Sequence, residues 1–396
     1  MWFDPSVAAR LSRLALRPDP QKDPGLRRHA SNFLLPHLFF AGLQGGLRGL
    51  QGLDRALYPA YREVPIREPF LIFANARSGT TLLHHLMSLD EERFAAMKMH
   101  HTVFPSVSVQ KLVGAAHRLD QKIGAPLESL VAALDAHFFR AWEGIHTTGL
   151  RSLEEDEALF TLTLLSPGVL FVYPHLEALE KALWVDRLDP QTKATLAKYY
   201  VDAVQRFLYA EGRGRQFLNK SIWYPARIRF AYETFPDMRF VYVMRHPYET
   251  LPSFLNFFYA AWKVFYPEMR RDSAQVQRFA RLAVDYYRYA FEELPKLPEN
   301  QRFVLQFDSL IADPVAAVES IYAHFGMDLS PRYAAKLRAA VATMHRFQSK
   351  RKFRLEDFGV SKESVYRPLK DLFDAYGYAS GLEGSVQAPA ASKLSP

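Results

Sequence analysis

The sequence contains no cysteine, and this absence removes several classes of chemistry at once. Disulfide bridges, catalytic thiolates and zinc–thiolate sites all require the cysteine sulfur, so none of them is available to this chain. The His-Glu-x-x-His string of zinc hydrolases is also missing, as is the Gly-x-Ser-x-Gly elbow of α/β hydrolases. We therefore expect no metal site, and an active site made of oxygen and nitrogen groups.

Long hydrophobic runs and dense blocks of one charge are scarce as well. The segment 158–176, one of the two longest without a charged residue, is broken by Pro167 and Gly168, which favours a buried helix and a connection over a membrane span. The first residues have no basic region followed by an apolar run, so no signal peptide is predicted. The net charge of +8 is scattered, which disfavours a nucleic-acid partner. We expect a cytoplasmic protein, and the apolar stretch 33–47 leaves open a peripheral membrane contact.

Apolar strands alternate with helical patterns along most of the 396 residues, which predicts an α/β fold with a central parallel sheet flanked by helices. The predicted strands cover 70–75, 95–100, 216–220, 239–244 and 302–307. Residues 1–65 are predicted to form an N-terminal helical extension, and 66–380 the main domain, with a large helical insertion at about 105–211. The Ala/Ser/Pro-rich tail 381–396 is predicted to be disordered.

The turn after the first strand carries the strongest signal of a ligand site. It reads Arg77-Ser78-Gly79-Thr80-Thr81-Leu82, and Gly79 allows the backbone to approach a ligand where a helix begins. Unpaired N–H groups and the helix dipole bind anions there. The loop lacks the Gly-Lys-Ser/Thr of a Walker A motif. The alternative is an ordinary helix cap.

Two later strand ends carry cations that suit the same anion. Arg245 follows the strongest late strand in Met-Arg-His-Pro, and Ser253 comes eight residues after it. A guanidinium offers several donors to a phosphate, and the hydroxyl adds another. Lys220 ends the strand before this one, 25 residues ahead of Arg245. Because ligands bind at the carboxyl ends of parallel strands, the three segments are expected to meet.

In this order, the three segments resemble the donor site of sulfotransferases that use 3′-phosphoadenylyl sulfate (PAPS). The resemblance covers roughly 66–378 and includes the segments 145–157, 306–326 and 355–359. It implies a P-loop-like three-layer fold, with Lys220 and Arg77 acting on the transferring group. It also implies the donor-binding set Arg77, Ser78, Gly79, Thr80, Thr81, Leu82, Arg245 and Ser253. The C-terminal Gly-x-x-Gly-x-x-Lys loop of cytosolic members is missing, and the basic run 350–354 is a candidate replacement.

The resemblance does not supply the general base directly, because Ile222 stands where cytosolic members have a catalytic histidine. A Trp-Glu pair of other relatives aligns with Met99 and His100, so we predict His100 as the base. The alternatives are His101, which would face the opposite way on a strand, and His146 and Glu155. Glu155 also fits a capping box with Ser152.

The resemblance implies an enzyme that moves the sulfuryl group of PAPS onto the hydroxyl of a small acceptor, without a metal. The uncharged stretch 158–176 and the aromatic-rich Phe254–Phe265 predict an apolar acceptor pocket, which suits a lipid-like or aromatic alcohol. The alternative is that these aromatics fill the core. Two other functions stay open: a P-loop-like kinase, and a nucleotide-binding protein of the same fold without catalysis. The sequence gives no oligomeric state.

Overall fold

A five-stranded parallel sheet forms the centre of the protein in the computed structural model, which describes residues 4–16, 30–125, 152–171, 173–344 and 353–382. The strands are β1 (Phe70–Phe73), β2 (Phe94–Ala96), β3 (Gln216–Ser221), β4 (Arg239–Met244) and β5 (Arg302–Gln306). Their order across the sheet is β2-β3-β1-β4-β5, and all four pairings are parallel. All four residues of the central strand β1 are buried, as expected for a strand covered on both faces.

Helices cover both faces of this sheet. Before β3 they are α1 (Pro5–Leu16), α2 (Ala30–Leu57), α3 (Thr80–Ser88), α4 (Met99–Val103), α5 (Val107–Lys122), α6 (Glu157–Thr161), α7 (Glu180–Leu183) and α8 (Pro190–Phe207). After β3 they are α9 (Ile228–Thr234), α10 (Pro247–Phe265), α11 (Ala274–Glu293), α12 (Phe307–Ala312), α13 (Pro314–His324), α14 (Pro331–Thr343), α15 (Lys362–Tyr366) and α16 (Lys370–Tyr376). Alternate residues of β1 enter two separate hydrophobic cores, Leu71 and Phe73 one, Phe70 and Ile72 the other. The predicted three-layer α/β architecture is therefore confirmed.

The main departure from the predicted elements lies at 95–100. Strand β2 ends at Ala96, and the short helix α4 begins after Lys98, so the prediction of a strand through His100 was wrong. The cause is a side-chain cap, because Nδ1 of His101 accepts the backbone N–H of Lys98 at 2.9 Å. His100 and His101 thus follow a helical turn and do not alternate across a strand.

The apolar segment 158–176 contains a buried helix and a connection, as predicted, but the helix is short. In the described part of the segment, Glu157–Thr161 forms the α-helix and Pro167–Phe171 forms a 3₁₀ turn in the connection. Residues 126–151 of the predicted helical insertion lie outside the described residues, as does the tail beyond residue 382. In the described part of the chain, no helix combines the length and the apolar character needed to cross a bilayer.

The N-terminal helices pack onto the main domain through a buried ion pair. Asp54 of α2 is fully buried, and one of its carboxylate oxygens lies 3.1 Å from Nε of Arg206 in α8. The same carboxylate accepts the backbone N–H groups of Val107 and Ser108, each at 2.9 Å, and so caps the start of α5. Leu11 of α1 belongs to the larger hydrophobic core. The described part of the N-terminal extension is therefore built into the fold, and its predicted boundary at residue 65 stays a prediction.

Candidate active site

Three strand ends meet at the centre of the sheet, and the candidate site is made of the segments that follow them. Strand β1 lies between β3 and β4, with Phe73 in register with Ser221 on one side and with Tyr242 on the other. Because the strands are parallel, the loops after β1, β3 and β4 leave the sheet at the same edge. This topology brings the predicted donor loop beside both predicted cationic strand ends.

The loop between β1 and α3 is held in a compact turn. The hydroxyl of Ser78 donates to the carbonyl of Asn75 at 2.7 Å, and the Asn75 amide donates to the Tyr242 hydroxyl at 2.8 Å. Gly79 has a φ of +80°, and a Cβ there would lie 3.2 Å from the side chains of Phe307 and Leu310. Both the left-handed backbone and the close packing therefore require glycine directly before α3.

The two arginines of the predicted donor site touch in the structure. Nε of Arg77 donates to the Ser253 hydroxyl at 3.1 Å, and Nη1 of Arg245 donates to the Arg77 carbonyl at 2.7 Å. Arg77 adopts a φ of +68°, in the left-handed region that residues other than glycine seldom occupy. Burial, and then the charge of Arg245, lower the pKa of Arg77. A concentration of positive charge that is partly desolvated is an arrangement that binds a polyanion.

Arg245 also has an acidic neighbour that the sequence motif does not show. Its Nε and Nη2 both lie 3.0 Å from Oε2 of Glu249, one turn into α10. The guanidinium carbon lies 3.9 Å from the centre of the Phe307 ring. A bound phosphate would compete with Glu249 for the same donors. Arg245 lies just before α10 and Glu249 lies in its first turn, so their spacing of four residues could have suggested this pair.

Lys220 is almost completely buried at the end of β3, and its ammonium group contacts two of the other segments. Its Nζ lies 2.8 Å from Oε1 of Glu155 and 3.3 Å from the hydroxyl of Thr81. The second oxygen of Glu155 accepts the backbone N–H of Ile222 at 3.4 Å. The Glu155 carboxylate therefore lies beside the position where the resemblance places a histidine that this chain lacks.

The capping box suggested for Ser152 and Glu155 does not form. Helix α6 starts after Asp156, and no side chain caps it. The Glu155 carboxylate instead faces Lys220. Next to it, burial raises the pKa of Glu154 to about 7, while the Lys220 charge acts in the opposite direction. The site thus holds one lysine and two neighbouring carboxyl groups.

Asp156 and Glu157, which follow Glu155 directly, belong to a buried network of hydrogen bonds and ion pairs. Asp156 is fully buried and accepts hydrogen bonds of 2.6 Å from the hydroxyls of Tyr200 and Tyr224. Glu157 accepts a hydrogen bond of 2.7 Å from Arg227, which is itself fully buried. Removing one member of such a network would leave a buried charge without compensation. We therefore assign Asp156 and Glu157 to the framework around the site.

The two histidines of α4 differ in their surroundings. His101 is buried, and its ring lies 5.0 Å from that of Phe207. His100 is half-buried, with its ring 3.9 Å from that of His101. The other predicted base, His146, lies outside the described residues, as do residues 350–352 of the basic run.

His100, His101 and Glu211 bring three potential metal-ligand atoms within 4.8 Å of one another. Nδ1 of His101 accepts the Lys98 N–H, so the proton of the neutral ring lies on Nε2, which faces Glu211 at 3.5 Å. A metal-bound histidine normally donates a proton through its second nitrogen, and here that nitrogen is an acceptor. This tautomer favours a hydrogen bond to Glu211 over a metal site.

Aromatic side chains connect the end of β3 with the α10 helix. The Trp223 ring lies 5.5 Å from that of Phe258, which stacks on Phe171 at 4.2 Å. Phe171 also meets Phe257 at 5.1 Å, and both of these rings are partly exposed. By contrast Phe160 and Tyr173, which were predicted to line the acceptor pocket, are buried in the larger core. The half-exposed rings are the members of this set that an acceptor could reach.

Comparison with known proteins agrees with this geometry. The model of the Sulfotransferase family matches residues 69–331, which is more than half of the chain. The protein therefore belongs to the sulfotransferase family. The match includes all the segments that meet at the strand ends described above.

Individual relatives are distant in sequence. The omega-hydroxy-beta-dihydromenaquinone-9 sulfotransferases Stf3 of Mycobacterium bovis and Mycobacterium tuberculosis are each 22% identical to this chain over 281 residues. The match covers 69% of this chain and 66% of each relative, just under two thirds of their length.

Two solved structures share the fold. Sulfotransferase STF1 from Mycobacterium tuberculosis matches with a TM-score of 0.65 and 22% identity, covering 93% of both chains. Sulfotransferase STF9 from Mycobacterium avium matches with a TM-score of 0.66 and 18% identity, covering 82% of this chain and 81% of that one. The likeness confirms the predicted P-loop-like α/β fold.

Proposed function

We propose that this protein is a sulfotransferase that moves the sulfuryl group of PAPS onto the hydroxyl of a small hydrophobic acceptor. The observation that carries the proposal is the convergence of Arg77, Arg245 and Lys220 on one edge of the sheet. Lys220 touches Thr81 of the donor loop, and Arg245 touches Arg77 of the same loop. Family membership supports the reaction type.

The donor loop and Arg245 would hold the two phosphate ends of the donor. Backbone N–H groups at the start of α3 and the hydroxyls of Thr80 and Thr81 suit the 5′-phosphosulfate. Arg245 and Ser253 suit the 3′-phosphate, with Arg77 placed between the two groups. Ser78 stabilises the loop through its hydrogen bond to the Asn75 carbonyl, and Leu82 lies in the first turn of α3.

In the transfer, the acceptor oxygen forms a bond to sulfur while the bond between sulfur and the phosphate oxygen breaks. The products are the sulfated acceptor and adenosine 3′,5′-bisphosphate, and the acceptor proton goes to a base. Lys220 would neutralise the charge that develops on the leaving oxygen, in a buried setting where such a cation acts strongly. This role requires no metal, and the absence of one stays a prediction.

For the base, the contacts favour Glu155 over His100. Glu155 touches both Lys220 and the backbone of Ile222, so its carboxylate lies beside the cation proposed to act on the transferring group. His100 is kept as the second candidate, because it is half-buried and its own helix follows β2 on the same edge of the sheet.

Paired variants separate these two bases. Glu155→Gln keeps the size of the side chain and one acceptor for Lys220, and should lower kcat by about 10²–10⁴. His100→Asn should then keep most of the activity. Donor binding, measured by calorimetry with the bisphosphate, should be nearly unchanged in both. The reverse pattern of kcat values would assign the base to His100.

The acceptor is proposed to be hydrophobic. The rings of Phe171 and Phe257 are partly exposed and lead through Phe258 to Trp223, close to Lys220 in sequence. The Stf3 relatives are named for a menaquinone derivative with a terminal hydroxyl, which is a lipid alcohol. The test compares acceptors by kcat/KM, with long-chain and aromatic alcohols expected above charged oligosaccharides. A preference for the oligosaccharides would assign these rings to the core.

A further inference from the structure

The exposed apolar residues of this protein are concentrated on two helices outside the candidate active site. Eight large hydrophobic side chains are exposed in the described part of the chain, and five of them lie on α2 or at α5. They are Leu53, Leu57, Leu112, Leu119 and Ile123, each between 46% and 69% exposed. We call these five residues, together with the basic residues of the next paragraph, the α2/α5 surface.

The exposed charge of this surface has one sign. Within 41–57 and 107–122, the basic residues Arg48, Arg55, Lys111, Arg118 and Lys122 are all exposed. The acids of the same two segments are Asp54 and Asp120, and both are buried. Along α5 and at its end, the exposed apolar residues Leu112, Leu119 and Ile123 recur at helical spacing, and a basic residue precedes each of them, so an apolar and a basic stripe run side by side, as on helices that bind a membrane interface.

The two helices meet at one corner of the molecule. Asp54 of α2 binds the first turn of α5. Nζ of Lys111 lies 4.4 Å from the ring centre of Tyr58, the residue that follows Leu57. These contacts bring the end of α2, with Leu57, against the first turns of α5, where the apolar and basic stripes begin. The exposed groups of α5 and of the end of α2 therefore lie in one region of the molecule.

We propose that the α2/α5 surface docks the protein onto an anionic lipid bilayer. Leucine and isoleucine side chains would enter the boundary between headgroups and acyl chains, while the five cations contact lipid phosphates. A surface for a protein partner would be expected to carry exposed aromatic anchors, and the large exposed residues here are aliphatic. Neither helix supplies a residue to the candidate site, so docking and sulfuryl transfer can be tested separately.

The experiment is co-sedimentation of the full chain with vesicles of phosphatidylglycerol or of phosphatidylcholine. We expect binding to phosphatidylglycerol that weakens with salt, because raising salt from about 0.01 M to about 0.1 M shortens the screening length from about 30 Å to about 10 Å. Reversing two charges with Arg118→Glu and Lys122→Glu should weaken binding at least about 25-fold, at roughly fivefold for each charge removed. Replacing two apolar groups with Leu112→Ser and Leu119→Ser should weaken it several-fold.

Matched controls make the same changes elsewhere. Arg332→Glu with Arg338→Glu reverses two exposed charges on α14, and Val264→Ser removes an apolar side chain that is 69% exposed. Both should bind vesicles like the unmodified chain. Equal binding to both lipids, or equal losses in the control variants, would overturn the proposal. It would also be overturned if light scattering showed a dimer that Leu112→Ser with Leu119→Ser converts to a monomer, since the surface would then join two copies.

Discussion

Replacement of Arg245 by alanine should weaken the binding of adenosine 3′,5′-bisphosphate by about 10- to 150-fold. This range corresponds to the loss of one charge-assisted hydrogen bond, worth about 1.5–3 kcal/mol. The guanidinium is already oriented, since it donates to the Arg77 carbonyl at 2.7 Å and lies over Phe307. Binding must nevertheless displace Glu249 from the same guanidinium.

The ion pair between Arg245 and Glu249 allows a second test of the same assignment. Glu249 is more than half exposed, so its pair with Arg245 is worth only about 0–1 kcal/mol. Glu249→Gln should therefore tighten bisphosphate binding by no more than about fivefold. Arg239→Ala is the control, because Arg239 begins the same strand at the opposite edge and pairs with Glu68. The assignment of Arg245 to the donor would be refuted if calorimetry showed that Arg245→Ala binds the bisphosphate like the unmodified protein. It would also be refuted if Arg245→Ala lost no more affinity than Arg239→Ala.

Three further predictions follow from buried groups. Lys220→Ala should lower kcat more than bisphosphate affinity, because its cation is proposed to act on the transferring group; loss of affinity with kcat intact would contradict this role. Glu154→Gln should raise the melting temperature relative to the unmodified protein by an amount that grows from about pH 4.5 to about pH 7 and then levels off. Between these values the unfolded chain ionises the carboxyl while burial keeps it protonated in the folded protein up to a pKa of about 7, a difference worth up to about 3 kcal/mol; a difference independent of pH would argue against it. Asp54→Ala should lower the free energy of unfolding by about 3–5 kcal/mol, since it removes one of the two carboxylates paired with the buried Arg206 and the acceptor of two backbone N–H groups at the start of α5, whereas Asp285→Ala, at an exposed pair, should have little effect in the same denaturation experiment.

The sheet could be predicted closely from the sequence. Strands β4 and β5 are largely apolar runs, and β3, β4 and β5 each lie within one residue of their prediction. Helix α10 begins at Pro247, the proline of the Met-Arg-His-Pro segment, and the first position of a helix suits proline. Strand β2 is only three residues long, and the ring of His101 sets the start of the next helix by a hydrogen bond that no residue pattern reveals. That single contact changed the geometry expected for both histidines.

The candidate site was predicted in part. The order and spacing of the loop, Lys220 and Arg245 placed them at neighbouring strand ends, because a parallel sheet brings such ends together. Glu155 was harder to assign. Its local sequence fits a capping box with Ser152, and nothing in that sequence reveals the contact with Lys220, 65 positions away. The buried acid Asp54 was missed altogether, because its partner Arg206 lies on a helix far away in the chain.

The central claim is tested most directly by incubating the purified full chain with PAPS and a long-chain alcohol, and measuring both products by mass spectrometry. The account predicts that the alcohol gains one sulfuryl group for each adenosine 3′,5′-bisphosphate released, and that Lys220→Ala largely abolishes both products. It also predicts no transfer when ATP replaces PAPS. Phosphorylation of the acceptor from ATP, or sulfation that persists unchanged in Lys220→Ala, would contradict it.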